Sequence, residues 1–150
     1  MRLKGSCHCG AVRFSLESET PYPYQRCYCS ICRKTAGGGG YAINIMGDTA
    51  SFRSKGRTKI YRARRGGAQR HSCPKCGSAL WVWDRHWPQW IYPFASAIDT
   101  PLPTPKERVH AGLDWKAPWV RVPPGRAEKR FGEFSGESIA DWHRKRGLTR

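Results

Sequence analysis

A mainly β fold is predicted by three features of this 150-residue sequence. Short segments rich in aromatic and β-branched residues recur along the chain, and glycine, proline or polar residues bound each of them. The 16 glycines and 11 prolines are spread over the whole length, which is typical of many turns and short strands. Seven cysteines fall into closely spaced groups, so metal ions can tie such a turn-rich chain together.

Alternating apolar and polar residues predict the first strand, because Val12, Phe14 and Leu16 then share one face. Three prolines within 99–107 indicate an extended connection over the surface. Further strands are expected, in chain order, at 41–46, 58–64, 78–84, 90–97 and 119–122.

Only two helical segments are expected. The first is a short turn at 30–35, and the second is a terminal helix at 137–146, where Gly147 follows as an end signal. The passage 123–135 is rich in proline and glycine and should be irregular. The folded core is therefore expected to end near Val122.

The chain carries a large positive charge, with 27 Lys and Arg residues against 11 Asp and Glu residues and a formal net charge of +16. Such a charge attracts small acidic ligands as well as polyanions such as nucleic acid. No segment approaches the roughly 18 consecutive apolar residues of a membrane-spanning helix, and no signal-peptide pattern opens the chain. We therefore expect a soluble, cytoplasmic protein without a membrane partner. In that compartment cysteines serve as metal ligands or redox groups more often than as disulfides.

Four cysteines from two distant segments are predicted to bind one structural metal ion: Cys7, Cys9, Cys73 and Cys76. Cys7 and Cys9 are two residues apart, so an extended backbone projects both sulfurs to the same side. Cys73 and Cys76 have the spacing of a zinc knuckle, and Gly77 tolerates the positive φ that a turn after the second sulfur requires. A redox pair at Cys73 and Cys76 is the alternative, but the βαβ context of a thioredoxin-like motif is missing.

Three further cysteines lie within six residues and form a candidate reactive site: Cys27, Cys29 and Cys32. Three protein ligands leave one coordination position open, which is how catalytic zinc sites bind and activate a small molecule. Arg33 and Lys34 follow directly, and nearby positive charge favours the thiolate form of cysteine. The sequence therefore predicts that these cysteines act both as metal ligands and as catalytic residues.

Two neighbouring features have alternative interpretations. The glycines at 37–40 suit the close approach of a peptide-like ligand, and a plain flexible loop accounts for them equally well. His8 and His71 lie near the cysteines, and either could supply a fourth ligand, although a neighbouring histidine is more often a surface group.

Four motifs in this order resemble the family of glutathione-dependent formaldehyde-activating enzymes and the related centromere protein V group. The motifs are GSCHCGAVRF at 5–14, CYCSICRKT at 27–35, CPKCGSALW at 73–81 and WKAPWV at 115–120. The resemblance implies a zinc domain of the β-tent, Mss4-like type over residues 1–122. Residues 123–150 would then be a C-terminal extension that packs on this domain or trails from it.

The resemblance also implies the cofactors and the reaction. Two zinc ions per chain are expected, one structural on the group of four cysteines and one on the group of three. In the family's named enzyme the second zinc is associated with glutathione and formaldehyde, which form S-hydroxymethylglutathione in a carbon–sulfur lyase reaction run in the condensing direction. We therefore expect a zinc-dependent enzyme that joins a small thiol such as glutathione to an electrophile, or releases the two.

Two other function classes stay open at this point. A basic, zinc-stabilised module could bind nucleic acid or another polyanion, although the basic residues are not interleaved with aromatic residues at regular spacing. A redox or metal sensor could use the group of three cysteines and lose zinc on mild oxidation.

Overall fold

Eleven short strands and two α-helices organise residues 1–149, the part of the chain that the computed structural model describes. The strands are, in chain order, β1 (Arg2–Ser6), β2 (Arg13–Glu17), β3 (Gln25–Cys27), β4 (Gly47–Asp48), β5 (Arg53–Lys55), β6 (Lys59–Tyr61), β7 (Gln69–Ser72), β8 (Ala79–Trp83), β9 (Trp90–Pro93), β10 (Arg108–Ala111) and β11 (Glu128–Arg130). The helices are α1 (Ser30–Thr35) and α2 (Ile139–Lys145), and short 3₁₀ turns cover Ala95–Ala97 and Leu113–Trp115. The fold is mainly β, as predicted. Neither helix has the length and hydrophobicity that a membrane span requires.

The strands form three small sheets. One is antiparallel with the order β1-β2-β5, and a second, five-stranded antiparallel sheet has the order β4-β9-β8-β7-β6. The third sheet, β11-β10-β3, is parallel, although its strands come from widely separated parts of the chain. This parallel sheet joins the segment that precedes α1 to the last third of the chain.

The main core joins the two antiparallel sheets. Phe14 of β2 packs edge-on against Trp81 of β8, with 5.5 Å between the ring centroids. Leu16 lies in the same buried cluster, so the alternation predicted for β2 is confirmed. Cys7 and Cys73 also belong to this cluster, which places one cysteine from each distant segment at the edge of the core.

Some predicted strands were wrong. No strand forms at 119–122, where exposed Trp119 and buried Val120 lie in an irregular stretch. The segment 41–46 contributes only isolated bridges, at Ala42, Asn44 and Met46. Strands such as β3 and β7 escaped prediction because all their residues are half-buried and show no apolar alternation. Pairing with distant strands, rather than local pattern, fixes these segments.

Residues 123–149 pack against the rest of the chain through β11 and α2. Trp142 of α2 is 1% exposed and stacks on Tyr24, with 3.7 Å between the ring centroids. Buried side chains therefore continue well past Val122. Arg150, the last residue of the predicted extension, lies outside the described residues.

Trp142→Ala should lower the free energy of unfolding by roughly 3–5 kcal/mol, because it removes a buried aromatic side chain from a packed cluster. Trp119→Ala is the matched control, since Trp119 is 68% exposed and its truncation should change stability by less than about 0.5 kcal/mol. Urea unfolding followed by circular dichroism measures both variants. Equal, small effects would show that α2 contributes little to the fold.

Candidate functional site

The first cysteine group is built from two turns at the ends of strands. Cys7 follows β1, and its backbone N–H donates to the Val12 carbonyl. Cys73 follows β7, and its N–H donates in the same way to the Ser78 carbonyl. Gly77 has a φ of +74° in the second turn, as the sequence predicted. The turns lead from β1 to β2 and from β7 to β8, and they bring their cysteines together.

The four sulfurs of this group, from Cys7, Cys9, Cys73 and Cys76, all lie within 4.8 Å of one another. Cys9 Sγ is 3.6 Å from Cys7 Sγ and 3.8 Å from Cys73 Sγ. Four converging thiolates are the donor set of a closed, tetrahedral zinc site. Cys7 and Cys73 are buried whereas Cys9 and Cys76 are exposed, so an ion held here would lie at the rim of the main core.

The second cysteine group is held by β3 and α1. Cys27 ends β3, where it pairs with Ala111 of β10 and forms a bridge with Ala42. Cys29 is the N-cap of α1, and its Sγ accepts a hydrogen bond of 3.4 Å from the Cys32 N–H. Cys32 is buried on the first turn of α1, a helix that the sequence predicted with the same limits.

The three sulfurs of the second group also lie within 4.8 Å of one another. Among residues 1–149, both groups consist of cysteines alone, so His8 and His71 supply no fourth ligand to either. The His71 ring instead stacks on Trp81, and its Nδ1 lies 2.8 Å from Thr58 Oγ1. The second group therefore offers three donors to a metal ion and leaves one position for an added ligand.

Hydrogen bonds within the second group favour one thiolate. The thiols of Cys27 and Cys32, together with backbone N–H groups at the start of α1, lower the pKa of Cys29 to about 2. Three thiols held this close cannot all carry a negative charge without a compensating cation. The group is thus suited to a metal ion and to thiolate chemistry.

Arg70 of β7 supplies the positive charge that contacts this group. Its guanidinium lies 3.7 Å from Cys32 Sγ and 3.4 Å from Thr35 Oγ1. Arg33, which the sequence favoured for this role, instead donates to the Trp115 carbonyl at 3.1 Å. Arg70 could not be predicted as a site residue from a sequence motif, because β7 and α1 come together only in the folded chain.

Three neighbouring cavities share lining residues, are together called the groove, and lie next to the two cysteine groups. The smallest, about 220 Å³, reaches Cys27 and Cys32. A cavity of about 280 Å³ shares Arg70 with the first. The largest, about 730 Å³, shares Thr35 with the second and extends along residues 37–38. Two of the four consecutive glycines therefore line the groove with bare backbone.

A buried hydrogen-bond chain supports the backbone between Cys27 and Cys29. The hydroxyl of Tyr28 donates to Nδ1 of His110 at 2.8 Å, and Nε2–H of His110 donates to Glu128 at 2.6 Å. Burial lowers the pKa of His110, although the Glu128 carboxylate opposes this, and a lowered pKa favours the neutral ring that accepts from the tyrosine. Sequence reasoning missed this chain because its members are 82 and 18 residues apart.

The two smaller cavities of the groove carry positive charge and have no Asp or Glu in their lining. Residues 49–83 contain nine Lys or Arg residues and no Asp or Glu. Within the described part of the chain, none of these nine forms an ion pair with a carboxylate. Two of them, Lys59 and Arg70, line the 280 Å³ cavity. An anionic ligand would therefore meet unpaired cations next to the cysteines.

Comparison with known proteins gives three findings. The sequence model of the glutathione-dependent formaldehyde-activating enzyme family matches residues 2–111. A protein of Halomonas elongata that bears the provisional name of a glutathione-dependent formaldehyde-activating enzyme is 53% identical over 154 residues, which cover 99% of this chain and 98% of that protein. The crystal structure of a Rhodobacter sphaeroides protein is similar with a TM-score of 0.55 and 27% identity, and the match covers 67% of this chain and 91% of that one.

Proposed function

Because the chain belongs to the glutathione-dependent formaldehyde-activating enzyme family, we propose that it joins glutathione to formaldehyde at Cys27, Cys29 and Cys32. The product is S-hydroxymethylglutathione, so the protein acts as a carbon–sulfur lyase in the condensing direction. One observation carries the proposal: three cysteine sulfurs converge at the end of an open, positively charged groove.

Both cysteine groups fit zinc. Thiolates are soft ligands that select zinc over hard cations such as magnesium. The group of four would hold a structural ion, and the group of three would hold an ion with one open position. Zinc in the second group would supply a Lewis acid that favours the thiolate form of an added thiol.

The proposed reaction is an addition that needs no oxidant. The glutathione sulfur donates an electron pair to the formaldehyde carbon, and the carbonyl π pair moves onto the oxygen. The thiol proton is lost and the oxygen gains one proton, so atoms and charge balance. The positive charge of Arg70, which lies beside Cys32, favours the thiolate form of a glutathione sulfur bound there. Asn44, Tyr92 and Ile139 wall the 220 Å³ cavity and limit the water around the reacting atoms.

A small anionic thiol explains more of the site than a polyanion does. Positive charge alone would attract either ligand, but nucleic acid makes no use of three converging thiols. Glutathione has a thiol for the cysteine group and a net negative charge for the groove. A redox sensor would use the same three sulfurs, and membership of an enzyme family favours the thiol addition.

NMR exchange spectroscopy with ¹³C-labelled formaldehyde and glutathione tests the proposal. Zinc-loaded protein should raise the rate of exchange between free formaldehyde and its glutathione adduct well above the rate in buffer. Protein whose thiols are alkylated after removal of zinc is the control for non-specific effects. An exchange rate equal to that of buffer alone would overturn the proposed function.

A further inference from the structure

We propose that Arg70 binds a carboxylate of the thiol substrate in the 280 Å³ cavity, where Lys59 adds a second positive charge. The inference rests on the proposed function, because it assigns the part of the substrate that lies away from the sulfur. It makes Arg70 the residue that selects an acidic thiol over a neutral one.

The position of Arg70 between two cavities is the first observation behind this assignment. Arg70 lines both the cavity that reaches Cys27 and Cys32 and the neighbouring cavity that contains Lys59. The residues of a tripeptide span at most roughly 10 Å in an extended chain. The Arg70 guanidinium is 3.7 Å from Cys32 Sγ, well within that reach, so one small peptide can place its sulfur at the cysteines and a carboxylate beside Arg70.

The free donor capacity of Arg70 is the second observation. A guanidinium has five N–H donors in a planar fork that matches the two oxygens of a carboxylate. In this structure the Arg70 guanidinium makes two long contacts, at 3.4 Å to Thr35 Oγ1 and 3.7 Å to Cys32 Sγ. Most of the fork is thus available to a ligand that enters the groove.

The lack of a carboxylate partner is the third observation. Arg70 is half-buried, and within residues 1–149 it forms no ion pair with Asp or Glu. Partial burial weakens the hydration of a charge, and an unpaired charge in that position gains from an anionic ligand. A substrate carboxylate supplies this missing partner.

Two thiols that differ only in their carboxylates test the proposal. Glutathione and glutathione diethyl ester share the thiol and the peptide backbone, and calorimetry measures the Kd of each for the zinc-loaded protein. Wild-type protein should bind glutathione roughly 10- to 100-fold more tightly than the ester, as expected for a charge-assisted hydrogen bond. Arg70→Gln should remove most of this preference by weakening glutathione binding alone. Arg57→Gln removes an exposed cation outside the three cavities and should keep the preference.

The outcomes separate three possibilities. Equal affinity for the two thiols in the wild-type protein overturns the carboxylate subsite, whatever the variants do. If Arg70→Gln weakens the binding of both thiols equally, the subsite is also overturned, since Arg70 would then act only on Cys32.

Arg70→Lys keeps the positive charge but lacks the planar guanidinium, so it should retain part of the preference for glutathione. It provides a folded variant if the glutamine change disturbs packing. Selective binding without formaldehyde exchange would support the subsite and contradict only the proposed reaction.

Discussion

Cys73→Ser should release one metal ion per chain and leave the protein unfolded at neutral pH. Cys73 is one of four converging sulfurs and is buried in the main core. Structural zinc contributes on the order of 10 kcal/mol or more to the folding of small zinc domains. That contribution is as large as the whole stability of a typical domain, about 5–15 kcal/mol. Elemental analysis gives the metal content, and circular dichroism gives the folded fraction.

Lys75→Ala is the matched control for the knuckle. Lys75 lies between Cys73 and Cys76, is exposed and offers no soft ligand, so its loss should change neither the metal content nor the Tm. A chelator that removes both ions should reproduce the unfolding of the serine variant. A Cys73→Ser protein that folds with a full complement of metal would contradict the structural role of this group.

Cys29→Ser should lower the formaldehyde exchange rate by more than about 100-fold, since changes in residues that merely orient metal ligands already cost 10- to 100-fold. The same variant should stay folded. The second group packs with a small cluster around Ala42 and Phe94, separate from the main core. We therefore expect the metal content to fall from two ions per chain to one, while the Tm shifts by only a few degrees.

Ser30→Ala provides the matched comparison for Cys29→Ser. Ser30 is the next residue, is exposed and lies outside the cysteine group, so its exchange rate should equal that of the wild-type protein. Parallel measurements of exchange rate, metal content and Tm distinguish loss of chemistry from loss of fold. An unchanged rate in Cys29→Ser would exclude the second group as the reactive site.

The cysteines within each short segment could be grouped because their geometry is local. Two sulfurs on adjacent same-side positions, or on one turn, converge whatever the rest of the chain does. Cys73 and Cys76 could be assigned to the same ion as Cys7 and Cys9 because structural zinc binds four ligands, and two pairs of cysteines supply them. Arg70 and the groove could not be predicted, because β7 reaches α1 only through the pairing of distant strands. The prediction that Arg33 contacts the second group was wrong for the same reason. Its hydrogen-bond partner, the Trp115 carbonyl, is far away in sequence.

Among the strands and helices, too, those that depend on local interactions could be predicted and those that depend on distant ones could not. β2 shows clear alternation, and α1 begins at a capping cysteine and ends before the glycine run, so both were predictable. The parallel sheet was not, because β3, β10 and β11 are three or four residues long and each depends on a neighbour from another segment. Such short strands carry too few residues for a periodic pattern.

The parallel sheet has a consequence for how the chain avoids aggregation. The family match ends at residue 111, which is the last residue of β10, and β10 is the central strand of its sheet. Without β11, one side of β10 would expose unpaired N–H and C=O groups, and His110 would lose its Glu128 partner. An open strand edge of this kind recruits strands from other chains. With β11 present, the edge of the sheet moves from β10 to a strand of three charged residues, Glu128–Arg130. A short, charged edge strand hinders pairing with other chains.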